Sequence, residues 1–313
     1  MWVKLTKYWF ILVLCWIGML PASVLAENNL FSVGFYFPPN QFSKAQFQYT
    51  QTLLAPEIEI VPFYANRSEQ KDVLVSGYDN TYHLVAHVEN AHSFFAVVLG
   101  VNQVEGAKLE QLRCHGKPSC TPWIYINENA SYQRLKHLAS ALNGEHQLVT
   151  VTKDKAAAQQ LTNQWPELKI IQHNDSIKEF ELIKQASRQG DVYVMLPDDA
   201  FYNDATGRVV LQFLFQQRLI SVGFSSGSFK AGAMVASYAD YSNMLLTAKL
   251  KFLNYRIPEQ SMYLNACYQD YYINEALLAR VYGEAYTHIV DSDSLYQLAK
   301  QLNDDCNKNL DKN

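Results

Sequence analysis

The chain has 313 residues, 49% hydrophobic and 18% charged, which is too apolar for a disordered protein and long enough for two domains of about 100–150 residues, each with its own core. It carries 26 basic against 30 acidic residues, and no Lys/Arg run is present to pair with phosphates, so nucleic acid is excluded as a partner.

Residues 1–26 stand apart. Lys4 and Lys7 precede an apolar run from Trp9 to Leu20, Pro21 breaks it, and Val24-Leu25-Ala26 offers small side chains for cleavage. This pattern predicts a secretory signal peptide. The competing reading is an uncleaved anchor, but a run of 12 residues falls short of the roughly 20 needed to span a bilayer. Cys15 follows Leu14, where a lipoprotein signal wants a small residue, which argues against lipidation. Removal of residues 1–26 leaves 24 basic against 30 acidic residues, a net charge of −6.

The first predicted strand is Leu30–Phe37, stopped by Pro38-Pro39 and followed by a helix over Lys44–Leu54. Ile58–Phe63, His83–Val88 and Phe94–Leu99 read as further strands, each a short apolar run between turn formers. The spacing of His83, His87 and His92 raises a metal site. On a strand, however, His83 and His87 would lie about 13 Å apart, because each residue advances about 3.3 Å. Only a helix would bring them together.

Four cysteines remain after the signal: Cys114, Cys120, Cys267 and Cys306. An even number in an exported chain predicts two disulfides, and proximity favours Cys114 with Cys120 and Cys267 with Cys306. The rival is a metal held by Cys114, His115 and Cys120, which lacks a fourth ligand. Past this loop, Trp123–Asn127 reads as a strand and Ala130–Leu142 as a helix. Strand and helix then alternate: His146–Val151, Asp154–Trp165, Leu168–Gln172, Asp175–Ser187, Asp191–Leu196, Gly207–Gln217 and Leu219–Phe224. Asp154 and Asp175 are placed to cap their helices. Such an alternation predicts a parallel sheet with helices on both faces. The strand at 219–224 runs into Ser225-Ser226-Gly227-Ser228, small polar residues at the carboxyl end of a strand, where open α/β sheets bind ligands. Everything downstream of 241 reads as closing helices.

Several segments follow a recurring order: Val192–Asp199, the strand and turn at 219–227, Gly232-Ala233-Met234 through Asp240-Tyr241, Arg256-Ile257-Pro258, and Ile273-Asn274 with Ala276 and Gly283. In this order the chain resembles the periplasmic substrate-binding proteins of ABC importers, in the type I two-lobed family with tryptophan- and other amino-acid-binding members. The resemblance is strongest over 190–285. It implies two doubly wound α/β lobes with parallel sheets joined by a three-segment hinge that closes on a small molecule. By this analogy the chain crosses near Asn127, Val235 and Pro258, so that 27–126 plus 236–257 form one lobe and 127–235 plus 258–313 the other. The implied ligand-binding residues are Tyr36, Phe37, Asn127, Asp199, Ser225 and Ser226, with no cofactor and no metal. Core packing is the competing reading for Tyr36 and Phe37. The sequence also departs from the family, with Ser226 where an acidic residue is common, Leu245 where a glycine is common, and no recognisable glycine-threonine loop around Ser76–Asp79.

Gly223-Phe224-Ser225-Ser226-Gly227 also fits the G-x-S-x-G elbow of serine hydrolases, with His288 as base and Asp270 as acid. The oxyanion-hole glycine run is missing, and the elbow is set below the binding-protein reading. The expectation is a periplasmic, monomeric, non-enzymatic binding protein whose ligand is amino-acid-like or aromatic. Its partner is a membrane permease or, alternatively, a membrane receptor or signalling protein.

Overall fold

A computed structural model describes residues 31–310 except 40, 64–71, 118, 143, 173–177, 199–200, 204–205 and 255–256. The predicted signal peptide, Asp199 and Asp175 lie outside the described residues.

Two six-stranded sheets, each the floor of one lobe, organise the chain. The first is built from β1 (Phe31–Phe35), β2 (Ile58–Pro62), β3 (Asp72–Ser76), β4 (Phe95–Leu99), β5 (Ile124–Asn127) and β11 (Met262–Asn265), in the order β11-β5-β4-β3-β1-β2. All its pairings are parallel. The second contains β6 (Leu148–Thr152), β7 (Lys169–Gln172), β8 (Val192–Val194), β9 (Ile220–Gly223), β10 (Val235–Tyr238) and β12 (Asp270–Ile273), in the order β12-β10-β9-β8-β6-β7. Only β12 runs antiparallel. Central strands such as Phe95–Leu99 and Leu148–Thr152 are buried at every residue, as parallel strands covered on both faces must be.

The helices of the first lobe are α1 (Lys44–Leu54), α2 (Tyr78–His87), α3 (Gln103–Cys114) and α9 (Tyr241–Leu253). Those of the second are α4 (Tyr132–Ser140), α5 (Lys155–Gln164), α6 (Glu179–Ser187), α7 (Gly207–Gln216), α8 (Ser226–Ala231), α10 (Glu275–Tyr282), α11 (Tyr286–Ile289) and α12 (Ser292–Leu310). The first lobe has a core on each face of its sheet: Met244, Leu245, Ala248 and Phe252 of α9 pack on one, while Leu84, Leu109 and Trp123 fill the other. Leu135, Leu161, Leu182, Leu211 and Leu278 bring five helices into the single core of the second lobe. Among the described residues no helix is long and apolar enough to cross a membrane.

The doubly wound parallel sheet expected from the alternation and the two lobes implied by the resemblance are present, and so are both disulfides, Cys114–Cys120 and Cys267–Cys306, with Cα atoms 5.6 and 5.9 Å apart. Three expectations are corrected. First, His83–Val88 is not a strand: it lies in α2, which starts after Gly77, whose φ of 86° turns the chain out of β3. Thr81 and Leu84, three residues apart, are the buried positions of this helix, so the short apolar run is one face of a helix. The strand that precedes it, Asp72–Ser76, had gone unread. Second, the region beyond 241 is not all helix, because β11 and β12 each complete a sheet. Third, two crossings move: β10 belongs to the second sheet and β11 to the first. The chain therefore passes between lobes at 128–131, at 239–240 and at 266–269, rather than near Val235 and Pro258.

These three crossings are tied together. Ala239 N donates to Glu128 O at 2.8 Å, and Asn129 bridges Tyr238. The fully buried Gln269 side chain donates through Nε2 to Asn129 O and Ala266 O, both at 2.9 Å, and its Oε1 is 3.5 Å from Ser237 Oγ. Cys267 then fastens the third crossing to α12. Arg134 of α4 is 6% exposed and donates to Cys267 O and to Asn303 Oδ1 of α12.

Replacing Gln269 by Ala leaves the buried Ala266 carbonyl and the half-buried Asn129 carbonyl without this donor and is expected to lower unfolding free energy by about 2 kcal/mol, read by urea denaturation. Opening the 39-residue Cys267–Cys306 loop with paired serines should cost roughly 4 kcal/mol by loop entropy, against roughly 2 for the loop closed by Cys114–Cys120. Equal losses would show that loop size does not set the effect.

Candidate functional site

The carboxyl ends of β4 and β5 in the first lobe face those of β6, β8 and β9 in the second. A cavity of about 700 Å³ lies between them, within the size of a small-molecule site. Its first-lobe wall comes from Asn102, Gln103 and Val104 at the start of α3, with Asn127 and Asn129 at the first crossing. Thr152 at the end of β6 with Lys153 and Asp154 after it, Leu196, Pro197 and Asp198 after β8, and Phe224 after β9 form the opposite wall, with Tyr132 of α4.

Each wall is fixed by local capping. Asn102 Oδ1 accepts from Glu105 N at 3.0 Å while Glu105 accepts from Asn102 N at 3.1 Å, a reciprocal box that aims the start of α3 at the cavity. Asp154 Oδ1 accepts from Ala156 N and Ala157 N at 2.8 and 3.1 Å, so the aspartate predicted to cap α5 does so. Asp198 Oδ2 accepts from Lys153 N at 3.3 Å, which ties the loops after β6 and β8. The Lys153 ammonium pairs with Glu179. Asn127 Oδ1 accepts from Asn129 N at 2.9 Å, which leaves the Asn127 amide donors for the cavity. The Tyr132 phenol is pushed up by burial first, then by the carboxylates of Asp154 and Asp198, so it stays a neutral hydroxyl beside two acids.

Of the residues put forward from sequence, Asn127 lines this cavity. Tyr36 is 6% exposed, its ring packs edge-on against Phe63, and its hydroxyl meets His83 Nδ1 at 2.6 Å. Phe37 packs with its centroid 4.4 Å from Phe35 and 5.0 Å from Phe42. Ser225 caps α8: its Oγ accepts from Ser228 N and its N donates to Ser228 Oγ, both at 3.0 Å. Ser226 Oγ donates to both carboxylate oxygens of Glu128 at 2.9 Å. Asp199 is outside the described residues, and its neighbour Asp198 lines the cavity. Asn102, Tyr132, Asp154 and Asp198 line the same cavity and were not put forward from sequence, although all but Tyr132 stand within four residues of a strand's carboxyl end.

The hydrolase relay is not assembled. Asn243 Nδ2 donates to Asp270 at 2.8 Å, His288 is exposed on α11, and among the described residues no hydrogen bond joins either to Ser225. Nor does the metal reading of the cysteine loop hold, since the two sulfurs are joined. The third metal-binding group near them is Glu110 rather than His115. Glu110 also takes two hydrogen bonds from Nη2 of buried Arg113 and one from Tyr125 at 2.7 Å. Tyr125 itself is pushed far above the ordinary phenol range, by burial first and then by that carboxylate.

No protein-family profile and no curated protein sequence matches the chain. Solved structures similar to it include the open, ligand-free form of a substrate binding protein with adhesive properties from Clostridium difficile. That protein is 10% identical, with 80% of this chain and 94% of that one covered and a TM-score of 0.49. An ABC domain in complex with L-Trp from Streptococcus pneumonia is 9% identical, with 83% and 98% covered and a TM-score of 0.43. An ABC transporter solute-binding protein from Conexibacter woesei is 13% identical, with 89% and 96% covered and a TM-score of 0.42.

Because the Ser225 hydroxyl is spent on capping, Ser225→Ala should lower stability by about 1 kcal/mol, measured by thermal unfolding. A fluorophosphonate probe should leave the wild-type protein unlabelled, and labelling lost in Ser225→Ala would restore the hydrolase reading.

Proposed function

We propose that the chain is a solute-binding protein that captures a small molecule between its lobes. The observation that carries this reading is the cavity at the facing carboxyl edges of two parallel sheets, spanned by three tied crossings. Ligands of open α/β sheets sit at such edges. A cleft whose walls belong to separate lobes can close over its contents by bending at the crossings. Asn127 and Asn129 sit at the pivot and meet ligand in either position, whereas Asn102 on one wall and Asp154 and Asp198 on the other engage it together only on closure. Ligand binding thereby becomes a change in outer shape that a membrane protein reads.

The signal-like segment at 1–26 supports export and a periplasmic site of action. The partner of the closed form is an ABC importer permease, with a membrane receptor or signalling protein as the alternative. The ligand is a small polar molecule, amino-acid-like or bearing an aromatic ring: Tyr132 and Phe224 offer ring surface, and the asparagines and aspartates offer hydrogen bonds. Asp199 keeps its place in this proposal from its position after Val192–Leu196.

A thermal-shift screen of residues 27–313 against amino acids, nucleosides, sugars and short peptides tests the reading. Ligand at 100 times its Kd stabilises the native state by about 2.7 kcal/mol, which gives a saturable rise in Tm. Asn127→Ala, Tyr132→Ala and Asp199→Ala should each weaken the hit at least tenfold, on the order of 1.4 kcal/mol, and leave the ligand-free Tm within a few degrees. Affinity unchanged in all three variants would place the ligand elsewhere.

A further inference from the structure

Two imidazoles on the first lobe, outside the interlobe cavity, stand together on one helix face. His83 and His87 are four residues apart on α2, the spacing that stacks side chains one turn above another, and their ring centroids are 4.3 Å apart. His87 is exposed, so its ring turns freely, whereas His83 is half-buried. The Nδ1 of His83 lies 2.6 Å from the Tyr36 hydroxyl. Tyr36 follows directly on β1 and is 6% exposed. One ring of the pair is thus held by a buried partner from the sheet, and the other is free to adjust.

We propose that His83 and His87 chelate a late first-row divalent cation, with His83 coordinating through Nε2 and Tyr36 as the positioning residue behind it. Each neutral imidazole gives one nitrogen lone pair. His83 keeps its proton on Nδ1 and donates it to the Tyr36 oxygen, the outer hydrogen bond that fixes ring and tautomer in histidine metal sites. Ligation requires both nitrogens about 2.0–2.1 Å from the ion, which a rotation of the exposed His87 ring supplies, and water completes the coordination. Imidazole donors select Cu²⁺, Ni²⁺ and Zn²⁺ in the affinity order Cu²⁺ above the other two, and leave Mg²⁺ and Ca²⁺ unbound.

The test is calorimetric titration of the full mature chain with NiCl₂, repeated with CuCl₂ and MgCl₂. One Ni²⁺ equivalent is expected to bind, with Cu²⁺ tighter and Mg²⁺ silent. His87→Ala should weaken Ni²⁺ at least tenfold without changing the metal-free Tm, since its side chain is exposed. Tyr36→Phe should weaken it about 10–100-fold while both imidazoles remain, a loss that distinguishes positioning from ligation. Long-range ¹H–¹⁵N spectra should show the His83 proton on Nδ1 when Zn²⁺ is added. Ni²⁺ affinity unchanged in His87→Ala, or no binding at millimolar Ni²⁺, would overturn the proposal.

Discussion

Gln269 has no solvent exposure, and its amide joins the first and third crossings to β10, the strand that leads into the second. A buried primary amide can offer two donor hydrogens and one acceptor oxygen. Here both donor bonds go to main-chain carbonyls, of the first and third crossings, and the oxygen faces Ser237 of β10, two residues before the second. The second crossing is tied to the first separately, by the bond from Ala239 N to Glu128 O. The Cys267–Cys306 bridge and Arg134 extend this knot into the second lobe by tying the third crossing to α12 and α4. Bending between the lobes must occur around this point rather than through it.

On either side of the knot the lobes are built as rigid bodies. The first lobe's sheet has an apolar core on each face, and the second lobe's strands and helices share one core. The loops at the cavity are held by short polar caps rather than by apolar contacts. Asn102 with Glu105, Asp154 with α5, and Asp198 with Lys153 N spend one oxygen each on the backbone and so fix the direction of the rest of the side chain. Under the proposed binding function, a site arranged this way loses little ordering entropy when ligand arrives, because its polar groups are already placed. What remains to be ordered is the angle between lobes.

The alternation from 146 to 224 was legible because parallel strands buried on both faces read as unbroken apolar runs, each followed by an amphipathic helix. Leu84-Val85-Ala86 misled for the same reason: three apolar residues inside a ten-residue helix look like a short strand when only the run is read. The strands Met262–Asn265 and Asp270–Ile273 were illegible because they are partly exposed and pair with partners distant in sequence, Ile124–Asn127 and Val235–Tyr238. On the cavity wall, Asn127 was legible from the crossing that the family resemblance implies. Asp154 was read only as a cap, although its position made it both cap and cavity wall. Tyr132 carried no local signal: its proximity to Asp154 and Asp198 arises from the way α4 lies beside two loops, and no spacing in the sequence encodes that.

The central claim is that one ligand engages both lobes at once. Amide hydrogen exchange with and without a saturating ligand measures this directly. The account predicts protection in the same titration at 102–104 on the first lobe, at 127–130 on the crossing, and at 152–154 on the second lobe. Protection confined to one lobe, with the facing loop exchanging as before, would contradict it.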